Sequence, residues 1–86
     1  MRIKPGFVLK EIAGNNIIVN QNGTVDFNGM ITLNETGAFL WRELERGSDS
    51  QTLTETLKSE YDVDTVTAKK DVILFINKLK GADVIE

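Results

Sequence analysis

The chain has 86 residues, a formal net charge of −3 and a sequence pI near 4.9, with 41% hydrophobic residues. That is the composition of one small globular domain spanning residues 1–86, with no stretch that reads as a linker. It contains neither His nor Cys, which removes the commonest metal ligands, general bases and thiol nucleophiles and leaves no disulfide scaffold.

Further exclusions follow from patterning. Met1 to Gly6 lacks the apolar segment of a secretory signal, and no apolar run approaches the ~20 residues needed to cross a bilayer. A cytoplasmic protein without membrane contact is expected. A core this thin leaves little room for a pocket that desolvates a catalytic carboxylate. No catalytic residues, no metal and no cofactor are expected, and the chain does not read as an enzyme.

In chain order, Phe7 to Ala13 alternates loosely, with Phe7, Leu9 and Ala13 on one side and Val8, Lys10 and Ile12 on the other. Gly14-Asn15-Asn16 tolerates positive φ and predicts a turn into Ile17-Ile18-Val19, completing a hairpin. Asn22-Gly23 marks a second turn, followed by the extended Thr24-Val25-Asp26-Phe27. Asn28-Gly29 is a turn or bulge signal, and Met30-Ile31-Thr32-Leu33 is extended again. Val25 to Leu33 reads equally as one bulged strand or as two short ones.

The period changes at Asn34, an N-cap residue, with Glu35 in the first turn of the helix that follows. Phe39, Leu40, Trp41 and Leu44 form its apolar stripe, and Gly47 fits the position just past its end. A second helix is predicted to start after Asp49 or Ser50 and run to about Tyr61, on the ladder Leu53, Leu57 and Tyr61. Asp64 caps a third, from about Thr65 to Lys80, closed by Gly81. Val84-Ile85 form an apolar tail able to pack back on the sheet. Trp41 and Tyr61 lie on apolar stripes and read as structural.

These elements make an α+β fold: a small three-stranded antiparallel sheet followed by three helices that cover one of its faces. The same inventory describes a winged helix-turn-helix.

The run Gly29-Met30-Ile31-Thr32-Leu33-Asn34-Glu35-Thr36-Gly37-Ala38-Phe39-Leu40-Trp41 resembles the strand-to-helix junction of the PqqD family. Glu60-Tyr61-Asp62-Val63-Asp64 resembles the end of its second helix, and Asp71-Val72 with Phe75 and Leu79 resembles its last helix. The opening Lys4-Pro5-Gly6-Phe7-Val8-Leu9 also fits, so the resemblance spans nearly the whole chain. It implies a winged-helix-like RiPP recognition element: a non-catalytic peptide chaperone that binds the leader segment of a ribosomally made precursor peptide. The leader would add as a strand beside the third strand, next to the last helix, and be presented to a partner radical SAM enzyme. The pathway would be pyrroloquinoline quinone (PQQ) biosynthesis or that of another modified peptide.

Strand addition needs an open sheet edge and a wall beside it. On the strand side the expected contacts are Val25, Asp26, Phe27, Met30, Ile31 and Thr32. On the third helix, Ala68, Val72, Phe75, Ile76 and Leu79 fall in one sector and form the core stripe. Ile73 lies on one flank with Lys69, Asn77 and Lys80, and Leu74 lies almost opposite among Lys70 and Lys78. This apolar surplus either widens the core stripe or lines a groove. On the groove reading, the helix contributes Lys69, Ile73, Ile76, Asn77 and Lys80. Between Thr65 and Lys80 the charge is +3, on a chain whose remainder sums to −6. A basic helix of this kind suits an acidic, amphipathic peptide.

Two alternatives share the architecture. A winged-helix DNA-binding regulator needs a basic reading face, which an acidic chain with a Thr-rich second helix does not offer, so no nucleic-acid partner is expected. A self-associating interaction module would pair its own third strand, giving a homodimer; a monomer or weak homodimer is expected.

Overall fold

The computed structural model describes residues 1–20 and 31–86. Strands β1 (Phe7–Ile12), β2 (Asn15–Asn20) and β3 (Ile31–Leu33) precede helices α1 (Glu35–Glu45), α2 (Ser50–Tyr61) and α3 (Thr65–Gly81). The sheet is antiparallel in the order β1-β2-β3, so the expected α+β architecture is present. The extended segment expected at Thr24 to Phe27, and Met30, lie outside the described residues.

The hairpin turns one step earlier than expected. Ala13 and Gly14 occupy it with φ of 52° and 82°, while Asn15 and Asn16 already pair with Ile12 and Glu11. Two successive positive φ values match the twist of the flanking strands in a two-residue turn. This register aligns Leu9, Ile18 and Ile31 across the sheet, and Ile18 is fully buried. A slip by one residue would send that row to the opposite face.

Each helix starts on a short polar side chain. Asn34 Oδ1 accepts from Gly37 N–H, Asp49 Oδ1 from Thr52 N–H and Asp64 Oδ1 from Thr67 N–H, all at 2.7 Å. These bonds satisfy donors that have no partner within the helix. The same bonds to Thr52 and Thr67 hold the Asp49 and Asp64 carboxyls below the ordinary carboxylate range. Gly47 follows α1 with a φ of 86°, as the C′ position requires. Gly81 instead remains inside α3, and the reversal falls on Asp83, with a φ of 58°.

The core gathers the sheet and all three helices: Ile18 and Leu33 from the sheet, Leu40 and Trp41 from α1, Leu53 and Leu57 from α2, and Val72, Phe75 and Leu79 from α3. Trp41 is fully buried and its Nε1 has no hydrogen-bond partner among the described residues, so it serves here as apolar bulk. Phe39 and Tyr61 meet edge to face, with ring centroids 5.5 Å apart, and lock α1 to the end of α2. Burial, and then the Glu35 and Glu60 carboxylates, push the Tyr61 phenol up. The tail folds back, with Val84 and Ile85 buried. Ile85 bridges Ile3, Lys4 N–H donates to the Val84 carbonyl, and Glu86 N–H donates to that of Arg2.

Candidate functional site

Strand β3 has β2 on one side and no strand on the other among the described residues. Its short course follows from the sequence. Ile31 and Leu33 are buried and anchor it to the core, Thr32 between them is exposed, and Asn34 starts α1 immediately afterwards. A strand alternates the direction of its backbone groups as well as its side chains. The Thr32 carbonyl accepts from Lys78 Nζ at 2.8 Å, which places it on the side away from β2.

A hollow of about 390 Å³ runs along this edge. Thr32 and Leu33 form one wall, and Asp71, Leu74, Phe75 and Lys78 of α3 form the other. The start of α1 closes one end with Asn34, Thr36, Gly37 and Leu40. Gly37 lets α1 come this close: a Cβ there would stand 3.2 Å from the Leu33 Cβ and from Asn34 Oδ1. Leu74 is 59% exposed, so the hollow has an apolar rim between an acid and a base.

The flank of α3 that meets β3 is therefore the Leu74 flank, where the Ile73 flank was expected. Lys69 and Ile73 line a separate hollow of about 410 Å³ against Ser50, Gln51, Thr54 and Glu55 of α2. Ile76 is buried in the core, and Asn77 and Lys80 are exposed on the helical phase of Ile73. The reason is tertiary. The core stripe has two flanks, and which neighbour lies on each depends on how α2 and β3 are placed around it. Of the expected strand residues, Thr32 lines the hollow, Ile31 is core, and Val25, Asp26, Phe27 and Met30 lie outside the described residues.

Asp71, Leu74, Phe75 and Lys78, with the start of α1, line the hollow beside β3 and stand outside the expected contacts. One signal for them was available: Leu74 is an apolar residue well off the core stripe, flanked by Lys70 and Lys78. No group of three or more potential metal-ligating side chains occurs among the described residues, and no described helix is long and apolar enough to cross a membrane.

The profile of the family described as Coenzyme PQQ synthesis protein D (PqqD) matches residues 15–85. The chain belongs to the PqqD family. Its match covers β2, β3 and all three helices, and hence both walls of the hollow. Among curated proteins, none matches this PqqD-family sequence. Two solved structures share its fold. One is TbiB1 in complex with the TbiA(beta) leader peptide, with a TM-score of 0.78 and 24% identity over 100% of this chain and 95% of that one. The other is lasso peptide synthetase B1 complexed with the leader peptide, with a TM-score of 0.76 and 20% identity over 99% and 95% of the two chains.

Proposed function

We propose that this PqqD-family protein is a non-catalytic adaptor that binds the leader segment of a ribosomally made precursor peptide. The leader adds as a strand to the open edge of β3, and the adaptor presents it to a modifying enzyme of the radical SAM class. The observation that carries this reading is the β3 edge, unpaired by any strand among the described residues, facing a hollow of mixed polar and apolar lining against α3. An added strand takes affinity from main-chain hydrogen bonds and specificity from pockets for alternate side chains. The edge offers the first and the hollow offers the second.

Membership of the PqqD family supports the adaptor role, and both solved structures of like fold hold leader peptides. The hollow is walled by a three-residue strand and helix flanks, which suits holding a chain better than transforming one. The net charge of −3 speaks against a DNA partner, because phosphate neutralisation would be poor.

The test uses peptides selected from a displayed library of random twelve-residue sequences panned on the full chain. Amide shift mapping of the tightest binders is expected to perturb Ile31 to Leu33 together with Asp71, Leu74 and Lys78. Perturbations confined to α1 and α2, or a library that yields no binder, would overturn the reading.

A further inference from the structure

Among residues 31–33 the outward-facing carbonyl of β3 belongs to Thr32, and that carbonyl is occupied by Lys78. A strand adding to this edge must place an N–H on the same oxygen. Lys78, which lines the hollow, and the client therefore reach for one acceptor from the same side, away from β2. Resting on the strand-addition reading above, we propose that Lys78 is a specificity-determining residue that holds the β3 edge closed to neutral strands and releases it to a strand bearing a carboxylate.

The physical argument concerns where the ammonium goes once displaced. Asp71 is the carboxylate that lines the hollow among the described residues, and it sits two turns earlier on α3. At 1.5 Å rise per residue that separates the two backbones by about 10 Å along the helix axis. A neutral client would trade a charge-assisted bond for a neutral one and send the exposed ammonium back to water without a partner of opposite charge. A client carboxylate opposite Thr32 accepts the released ammonium, so the number of bonds to charge is preserved. Edge strands are commonly guarded by lysine against unwanted pairing. Here the guard also selects, because the cost it imposes is cancelled by one kind of client. A second copy of this chain presents Thr32 at its own edge, with no carboxylate among Ile31 to Leu33, so the same guard opposes self-pairing.

The experiment pans the displayed twelve-residue library on the wild-type chain and on Lys78→Met in parallel. Lys78 is exposed, so the fold should tolerate the change. The wild-type pool is expected to be enriched in Asp or Glu at one position, and the Lys78→Met pool is not. Replacing that acid by its amide should weaken binding to the wild type about tenfold, a modest charge-pair effect, and leave Lys78→Met unaffected within twofold. Lys78→Arg should restore the preference. Equal pools, or an amide penalty that survives in Lys78→Met, would overturn the proposal while leaving strand addition intact. Binders that leave the Thr32 and Leu33 amides unmoved would overturn strand addition instead. The guard is also read without any peptide. The Thr32 carbonyl carbon shift should move in Lys78→Met and not in Lys80→Met, and an unmoved signal would overturn the proposal even if no binder emerged.

Discussion

Helix α3 has two flanks of similar make-up and unlike surroundings. Each carries an exposed aliphatic residue beside lysines: Leu74, 59% exposed, with Lys78, and Ile73, 53% exposed, with Lys69. The Leu74 flank faces a strand edge, whose backbone groups can take a partner, whereas the Ile73 flank faces α2, whose backbone bonds close within the helix. Composition is shared by the two sides, and the neighbouring element makes one of them a candidate binding groove. A hydrophobic side chain next to a strand edge is a different chemical offer from the same side chain next to a helix.

The comparison breaks most directly on a pair of substitutions. Leu74→Asp should weaken selected peptides by roughly tenfold or more, because a carboxylate would be buried under the added strand. Ile73→Asp should change affinity less than twofold. Titration of both variants by fluorescence anisotropy decides this, and equal losses would dissolve the distinction between the flanks.

A smaller effect tests how the groove end is built. Gly37→Ala places a methyl 3.2 Å from the Leu33 Cβ and 3.3 Å from its Cδ2. A Gly→Ala change inside a helix ordinarily stabilises, but here overpacking should dominate and lower stability by about 1 kcal/mol. Chemical denaturation would read the sign, and a gain would mean that β3 and α1 move apart freely.

The smallest effect separates the helix starts by pH. At the end of the groove α1 is capped by Asn34, which does not titrate, whereas α2 and α3 are capped by Asp49 and Asp64. Hydrogen bonds from Thr52 and Thr67 depress both carboxyls below the ordinary value of 3.8. A depressed folded pKa means that the cap stabilises above the unfolded value and is lost as pH falls through the folded one. Below about pH 4, amide exchange should therefore rise at Thr52 and Thr67, relative to its intrinsic rate, before it rises at Gly37. Asp49→Asn with Asp64→Asn should flatten the difference.

Much of this fold was legible because its signals are local. Asn34, Asp49 and Asp64 marked the three helix starts, and Leu53, Leu57 and Tyr61 marked the inner face of α2, since capping and helical period depend on neighbours in sequence. The hairpin was placed one residue late, because Gly14-Asn15-Asn16 and Ala13-Gly14 both read as turns and only the pairing of Ile18 with Leu9 and Ile31 chooses between them. The site was half legible. Thr32 and an apolar surplus on α3 could be read from the chain, but Leu74 and Ile73 are equivalent there until α2 and β3 take their places. Lys78 is visible in the sequence beside Leu74, but a lysine near a helix end already has an ordinary role with the dipole, and only the placement of β3 gives it the Thr32 carbonyl.

The meeting of the chain ends has a practical consequence. With Ile3 bridged to Ile85, and Arg2 and Lys4 bonded to Glu86 and Val84, a few residues of linker would join Met1 to Glu86 into a ring. New ends could then be opened at the Ala13-Gly14 turn, which joins β1 to β2 and does not border the outer edge of β3. Such a circular permutant would carry a fused enzyme or label on the hairpin and leave the outer edge of β3 clear.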